Sequence, residues 1–309
     1  MNIFKVYKNL YDIRLDLEEV HVKNFISSWV YKDKELCYLV DPGPALTIKR
    51  LKQGLDKLGI GKNDLNFILL THVHLDHAGG IGHLVSLYPQ AQVICHPRGI
   101  KHLINPEKLW EGSLKILGDM AWIYGKVKSV PENRITYQNY IANGKIKVIE
   151  TLGHAPHHQS YIFDRYLFVG EAGGFHISLP KSFYMRPATP PIFEYEISNS
   201  SIQTLLSENL KDYKICYPHL GMSENAEKML IIAQEQLSLW IQIITNLYEI
   251  NERSDYIEEI MSELKKNDIY FANYELLEEG IKKRELVFTG NSIKGILGYI
   301  QKKKKENNN

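Results

Sequence analysis

The first part of the chain mixes strand-like and helix-like hydrophobic patterns. Apolar and polar residues alternate with the two-residue period of a strand in residues 3–7 and 145–150. Two pairs of such segments flank short polar turns and predict hairpins, at residues 24–40 and 160–170. Apolar residues recur every three or four positions over residues 48–58, as in an amphipathic helix. This mixture predicts an α/β domain.

From residue 223 onward the hydrophobic period becomes helical. We expect one long helix that ends at about Asn251 and carries an apolar stripe from Ala226 to Ile244. Two or three shorter helices should follow, the last near residues 291–300. The lysine run that begins at Lys302 predicts a solvated, disordered tail. The expected organisation is therefore a domain at 1–222, a helical extension at 223–301 that packs on it as a cap or a homodimer surface, and a basic tail at 302–309.

The composition of this 309-residue chain indicates which compartment and which classes of partner to expect. The formal net charge is +1, so there is no basic footprint for nucleic acid or for an anionic membrane. Three scattered cysteines do not suggest a disulfide framework or a cysteine-based zinc site. We see neither an apolar signal segment near Met1 nor a run of about 18 apolar residues. We expect a cytoplasmic protein with no membrane and no nucleic-acid partner.

The highest density of potential metal ligands follows the short apolar run at residues 67–70, which predicts a buried strand. Three imidazoles and one carboxylate then occur within six residues: His72, His74, Asp76 and His77. Histidine is the commonest metal ligand among side chains, and carboxylate is a good partner for a divalent ion. A polar loop that is rich in histidine by chance is the alternative, but the complete string behind a buried strand favours a metal site.

The His-x-His-x-Asp-His string resembles the signature of the metallo-β-lactamase superfamily. That resemblance implies a four-layer αββα sandwich with a two-metal site, here followed by a C-terminal helical extension. Later segments match as well: a Gly-His-x-x-x-His-x-Ser run after the strand at 145–150, a carboxylate after the hairpin at 160–170, and a histidine after a strand near residue 215. The resemblance implies one metal bound by His72, His74 and His154, a second bound by Asp76, His77 and His219, and Glu171 between them.

Glu171 departs from the family pattern, which usually has an aspartate that bridges both metals. Glutamate keeps the charge but adds a methylene, so full occupancy of both metal sites stays open. His158 matches the second histidine of the family's run, which supports the site rather than binding. Asp41 resembles the aspartate of the family's Asp-x-Gly turn; it either orients a metal-binding histidine or serves only as a turn residue.

Residues 182–191 are rich in proline and aromatic residues, and we expect an irregular, stiff loop there. Because this loop follows soon after Glu171, we expect it to form one wall of the substrate pocket. Tyr184 and Arg186 are candidate substrate contacts, the phenol for an oxyanion and the guanidinium for a carboxylate or phosphate. Ordinary loop packing is the alternative.

Together these features predict a metal-dependent hydrolase with a small-molecule substrate and a glyoxalase-II-like motif. A hydroxide that bridges two divalent ions would attack an ester, thioester, lactone or related group, with Asp76 passing the proton. Zinc is expected, with manganese or iron as alternatives. Two rival functions stay open: an iron-dependent oxidoreductase of the same fold, similar to persulfide dioxygenases, and a metal-stabilised binding protein with little turnover.

Overall fold

The computed structural model describes residues 2–251 and 257–307. The strands are β1 (Asn2–Lys5), β2 (Leu10–Leu17), β3 (Val22–Lys32), β4 (Cys37–Val40), β5 (Phe67–Leu69), β6 (Gln92–Ile94), β7 (Ile135–Thr136), β8 (Tyr140–Ile141), β9 (Ile146–Glu150), β10 (Gln159–Phe163), β11 (Tyr166–Phe168), β12 (Phe175–Ser178), β13 (Phe183–Arg186), β14 (Lys214–Cys216) and β15 (Met222–Ser223). The helices are α1 (Ile48–Lys57), α2 (Leu75–Ala78), α3 (Ile81–Leu87), α4 (Pro97–Ile104), α5 (Glu107–Leu117), α6 (Asp119–Tyr124), α7 (Tyr195–Leu206), α8 (Ala226–Asn251), α9 (Ile257–Asn267) and α10 (Glu279–Asn307). Short 3-10 turns lie at Glu18–Val20, Ala45–Thr47, Glu132–Arg134 and Phe271–Leu276.

Most predicted elements are present. The two expected hairpins are β3–β4 and β10–β11, and the long helix α8 ends at the predicted residue, Asn251. Strand β2 was not predicted, although its alternation of Ile13, Leu15 and Leu17 with polar residues is the pattern of a half-buried strand. None of the described helices combines the length and apolar character needed to cross a membrane.

The strands form three sheets. One has the order β1-β2-β3-β4-β5-β6-β7, another the order β15-β14-β11-β10-β9-β8, and β12-β13 is a separate hairpin. Strands β4, β5, β6 and β7 pair in parallel, whereas β1 to β4 pair antiparallel. The parallel register sets Val40 beside Leu69 and Leu69 beside Ile94. The segments that follow β4, β5 and β6 therefore leave the same edge of the sheet.

The chain divides into two compact units. Of the described residues, the first unit holds those within Met1–Glu150, Ala155–Gly170 and Cys216–Leu220, and the second holds the rest. The first unit has one apolar core, in which residues of β2 to β6 pack with residues of α1 to α6. The expected boundary at residue 222 does not follow this division, because the segment from Glu171 to Ile215 clusters with the C-terminal helices.

In the second unit, the segment that was expected to be an irregular loop contains strand β13. This prediction was wrong for residues 183–186, because the prolines begin only at Pro187. Strand β13 pairs with β12, and its carbonyls accept side-chain hydrogen bonds from the C-terminal part of the chain. Gln236 donates to Met185 O at 2.7 Å, and Asn273 donates to Phe183 O at 2.7 Å.

Helix α10 is also longer than predicted. It runs without a break from Glu279 to Asn307, so the expected start near Asn291 and the expected disorder from Lys302 are wrong over the described residues. Residues 308–309 lie outside them. Gly295 interrupts the helical pattern of the sequence for a packing reason, because a Cβ there would lie 2.3 Å from Thr189 O. The glycine permits close approach of two backbones.

Candidate metal centre

In the first unit, Asp41 lies at the end of β4 beside the turn that carries the histidine motif. Its N–H donates to Leu69 O at 3.0 Å, which continues the parallel pairing of β4 and β5 by one residue. The Asp41 φ is 52°, in the left-handed region that aspartate tolerates better than most residues. The Ser28 hydroxyl donates to Asp41 O at 2.6 Å and secures this backbone turn.

The Asp41 carboxylate accepts hydrogen bonds from two residues of the motif turn. Thr71 N and Thr71 Oγ1 donate at 2.8 and 2.7 Å, and His77 Nδ1 lies 2.9 Å from Oδ2. A carboxylate accepts and does not donate, so Nδ1 of His77 carries a proton and Nε2 keeps its lone pair for a metal. These contacts support an orienting role for Asp41 over that of a turn residue that satisfies only its own backbone.

The same carboxylate acts on His72 through Thr71. Because the Thr71 hydroxyl donates its proton to Asp41, its oxygen is an acceptor for the His72 Nδ1–H, which lies 3.0 Å away. His72 is fully buried, and its Nε2 is thus the nitrogen that remains for a metal. One aspartate thereby fixes the orientation of two imidazoles.

Asp76, His77 and His219 form a compact donor group within the first unit. Their ligand atoms all lie within 4.8 Å of one another. Oδ2 of Asp76 is 3.7 Å from Nε2 of His77 and 3.7 Å from Nε2 of His219. The Nδ1 atom of His219 donates to Phe25 O at 3.2 Å, which again leaves Nε2 as the ligand atom. The structure therefore brings these three predicted ligands together.

His72 lies next to His74 and His158. Its ring centroid is 4.5 Å from that of His74 and 5.3 Å from that of His158. His158 is fully buried. A Cβ at Gly170, whose φ is 58°, would lie 2.4 Å from His158 Nε2, so this position requires glycine. The geometry suits the supporting role that the family resemblance implies for His158.

Two buried side chains hold the end of β5, from which the motif departs. Tyr161 Oη donates to Leu70 O at 2.7 Å, and Gln159 Nε2 donates to the same carbonyl at 3.0 Å. Gln159 N also donates to Thr71 O at 2.8 Å. Burial raises the pKa of Tyr161 well above its usual value, which keeps the phenol protonated as a donor.

The second unit contains His154 and Glu171, whose Nε2 and Oε2 atoms are 2.7 Å apart. Nδ1 of His154 donates to Ala188 O at 3.1 Å, so Nε2 again faces the carboxylate as the potential ligand atom. The residue before this histidine, Gly153, passes so close to α7 that a Cβ would lie 2.3 Å from Ser198 Oγ. Position 153 therefore requires glycine.

These donors fit a divalent metal ion. Imidazole nitrogens whose opposite nitrogen is hydrogen-bonded, together with carboxylates, are the ligands that zinc, manganese and iron share. Thiolate does not take part: Cys37, Cys95 and Cys216 are all buried, and burial raises the pKa of Cys37 to about 12 and that of Cys95 as well. The set is an N,O site.

Tyr184 and Arg186 lie elsewhere in the second unit, both against Glu285. Arg186 Nε is 2.6 Å from Glu285 Oε2, and Tyr184 Oη donates to the same oxygen at 3.0 Å. All three side chains are buried. Burial opposes the charge of Arg186, but the attraction of Glu285 outweighs it and the pKa of Arg186 is raised. These contacts support the packing alternative for both residues, and their role as substrate contacts stays a prediction.

Sequence reasoning missed three groups that position the ligands. Thr71 directly precedes His72, and the sequence could have indicated that its hydroxyl is a hydrogen-bond partner of this histidine. The carbonyls of Phe25 and Ala188 hold His219 and His154. Every residue has a carbonyl, so no pattern of residue types reveals which ones will serve.

The sequence matches known proteins along most of its length. The family model described as "Metallo-beta-lactamase superfamily" matches residues 22–219. A metallo-beta-lactamase fold-containing protein, ST1585 of Sulfurisphaera tokodaii, is 27% identical over 245 residues, which are 73% of this chain and 88% of that protein. A hydroxyacylglutathione hydrolase of Actinobacillus pleuropneumoniae is 32% identical over 146 residues, 46% of this chain and 47% of that enzyme. The chain thus spans about half of the latter.

Solved structures show the same fold. The crystal structure of ST1585 from Sulfolobus tokodaii aligns with a TM-score of 0.66 at 21% identity, and covers 94% of this chain and 99% of that one. TTHA1429 from Thermus thermophilus also aligns with a TM-score of 0.66, at 18% identity, over 97% and 95% of the two chains. The fold prediction, including helices at the C-terminal end, is confirmed.

Proposed function

Because the chain belongs to the metallo-β-lactamase superfamily, whose members are generally metal-dependent hydrolases, we propose that it hydrolyses a small-molecule ester, thioester or lactone at a centre of two divalent metal ions. One observation carries this proposal: the compact group of Asp76, His77 and His219, in which both histidines have Nδ1 bound to an acceptor and Nε2 directed to the carboxylate. A hydrogen-bond network that only stabilised the fold would not need two imidazole Nε2 atoms and a carboxylate oxygen to converge in this way.

The proposed ligand assignment follows the family pattern. His72, His74 and His154 would hold one ion, Asp76, His77 and His219 would hold the other, and Glu171 would contribute a further carboxylate. The pairing of His154 with Glu171 in the second unit supports their use as ligands. Zinc suits the histidine-rich set, and manganese or iron suits its carboxylates.

Bound together, two divalent ions would supply Lewis-acid chemistry, lowering the pKa of a water and polarising a carbonyl. The chain's own residues would supply orientation and proton handling. Asp41 fixes the tautomers of His77 and His72. Asp76 is partly exposed, so its carboxylate can take a proton from the attacking water and pass it to the leaving group or to solvent.

The test is the variant Asp76→Ala. We expect one metal ion per chain instead of two, and loss of at least a hundredfold in turnover of esters, thioesters and lactones, with an unchanged circular dichroism spectrum. The exposed Asp56, which pairs with Lys52 on α1, offers Asp56→Ala as the control that keeps both metals and full turnover. Full turnover in Asp76→Ala would exclude the proposed mechanism.

Metal analysis of the unaltered protein separates the rival functions. Two zinc or manganese ions per chain and turnover of a test ester support hydrolysis. A single iron with oxygen consumption would instead favour an oxidoreductase. Both metals bound with no turnover of any ester, thioester, lactone or phosphodiester would favour a binding protein.

A further inference from the structure

The orientation of the His154 imidazole depends on two contacts within the second unit. Helix α7 holds the backbone before this residue, because Ser201 Oγ donates to Leu152 O at 2.6 Å. The ring can still rotate about the side-chain bonds, and the carbonyl of Ala188 fixes this rotation by accepting from Nδ1 at 3.1 Å. The position of Ala188 O therefore decides where the proposed ligand atom, Nε2, points.

Helix α10 holds the residues on both sides of Ala188, whose own methyl side chain cannot form a hydrogen bond. Ser292 Oγ donates to Pro187 O at 3.1 Å, and Thr189 Oγ1 donates to Ser292 O at 3.0 Å. Ser292 and Thr189 are both buried, so these bonds are stronger than they would be in water. One residue of α10 thus binds both neighbours of Ala188.

Two further contacts restrict the movement of this segment. Arg186 Nη1 donates to Ser292 Oγ at 3.2 Å, so the hydroxyl hydrogen of Ser292 is directed to Pro187 O. Gly295 brings the helix against the backbone that follows Ala188, since a Cβ at this position would lie 2.6 Å from Pro190 O. A larger residue at position 295 would therefore displace the segment.

We infer that helix α10 is part of the support of the metal centre, and that Ser292, Thr189 and Gly295 position the Ala188 carbonyl and thereby the imidazole of His154 for a metal ion. The inference rests on the proposed role of His154 as a ligand and deepens it, because it assigns a function to the C-terminal helix. In this account the three are positioning residues, which act through Ala188 and not on the substrate.

The first experiment adds one methyl group at two positions of α10 and measures zinc affinity by competition with a fluorescent chelator. In Gly295→Ala the new Cβ displaces the Pro190 carbonyl, and we expect the affinity for one of the two zinc ions to fall by about 10- to 100-fold, as for other altered partners of metal-binding histidines. Gly298→Ala is the matched control, because no atom of the described residues lies within 4 Å of a Cβ there. It should leave both affinities unchanged.

The second experiment removes and restores the Thr189 hydroxyl, and it stays informative if Gly295→Ala does not fold. Thr189→Val keeps the size of the side chain but loses the bond to Ser292 O, and we expect zinc affinity to fall by about tenfold. Thr189→Ser keeps the hydroxyl and should recover the affinity of the parent protein. Equal affinity in Thr189→Val and the parent protein would overturn the inference.

A third measurement distinguishes positioning from a general loss of stability. Tyr274→Phe also removes one hydrogen bond to α10, the one to Lys282 O in the first turn of the helix. It should lower the melting temperature and leave zinc affinity unchanged. The visible spectrum of the Co²⁺-loaded protein reports the ligands around the ion, so it should change in Thr189→Val and not in Tyr274→Phe. Equal losses of zinc affinity in these two variants would show that α10 acts only through stability.

The outcomes separate this inference from the proposed hydrolysis. Weaker zinc binding in Gly295→Ala and Thr189→Val, with a parent protein that hydrolyses no ester, thioester or lactone, would support the positioning role and count against the hydrolysis. Unchanged zinc binding in both variants, with hydrolysis by the parent protein, would exclude the positioning role alone. A parent protein that binds none of zinc, manganese and iron would exclude both.

Discussion

At the scale of single residues, the candidate metal centre depends on groups that hold the ligands as well as on the ligands. Asp41 orients His77 directly and His72 through the Thr71 hydroxyl. Hydrogen-bond partners of metal-bound histidines fix the tautomer and raise the basicity of the ligand nitrogen. A change at Asp41 should therefore weaken metal binding without removing any ligand.

We predict that Asp41→Asn lowers metal affinity by about 10- to 100-fold, the usual effect of altering such a partner. Asparagine keeps the shape and one acceptor oxygen but loses the negative charge that favours the His77 proton on Nδ1. Competition with a fluorescent chelator measures the affinity, and circular dichroism checks the fold.

Asp33 provides the matched control, because its carboxylate also accepts three hydrogen bonds in a turn, from Tyr31 Oη and from two backbone N–H groups. It lies at the other end of the β3–β4 hairpin. Asp33→Asn should leave metal affinity unchanged. Equal affinity in Asp41→Asn and the parent protein would show that Asp41 is only a turn residue.

At the scale of elements, strand β13 and helix α10 are joined by a buried ion pair. Arg186 contacts Glu285 through both Nε and Nη2, at 2.6 and 3.3 Å, and its Nη1 donates to Ser292 at 3.2 Å. Removing one member of a buried pair leaves the other charge without compensation, which is more costly than the pair is worth.

We predict that Glu285→Gln lowers the free energy of unfolding of the protein by about 3–5 kcal/mol. Urea denaturation followed by circular dichroism measures this. The exposed pair of Lys214 and Glu224 gives the control Glu224→Gln, which should cost less than about 1 kcal/mol. An unchanged free energy of unfolding in Glu285→Gln would contradict this account of the ion pair.

The sequence predicted the elements of the first unit better than those of the second. The motif turn and the two hairpins of the first unit have clear local patterns and were placed correctly. In the second unit, helix α8 was found because its apolar period is long and regular. Strand β13 is four residues long and directly precedes a proline, so its local signal was weak. Helix α10 contains glycines that suggested a break, and its lysine run suggested disorder. The close approach of Gly295 to Thr189 explains why a glycine lies within the helix, and the local sequence pattern does not show this contact.

At the scale of the whole molecule, the predicted ligands are far apart in sequence yet each follows a strand. The order of the ligands along the chain could be predicted because it follows from the resemblance to the family. The pocket near His154 could not be predicted, because it is built from α7, α8 and the segment around Ala188, whose convergence depends on tertiary packing.

Several buried tyrosines contribute to stability across the molecule in a pH-dependent way. Burial raises the pKa of four of them above the usual value near 10: Tyr38, Tyr161, Tyr184 and Tyr217. A folded-state pKa above the unfolded one means that the folded protein holds the phenolic proton more tightly. This contribution is fully present below pH 10 and is lost as the pH rises beyond it, toward the folded-state pKa values.

We predict that alkaline titration followed at 295 nm shows two phases. Accessible phenols should ionise first, while circular dichroism is unchanged, and the buried tyrosines should ionise only with cooperative unfolding above pH 10. Tyr161→Phe should remove one late-ionising phenol and also lower the melting temperature at neutral pH, because Leu70 O loses a donor. Tyr137→Phe, which loses only an exposed hydrogen bond to Asn139, should leave the melting temperature unchanged. A single phase that includes all 19 tyrosines, with the fold intact, would contradict this account, because it would require the buried phenols to ionise within the native structure.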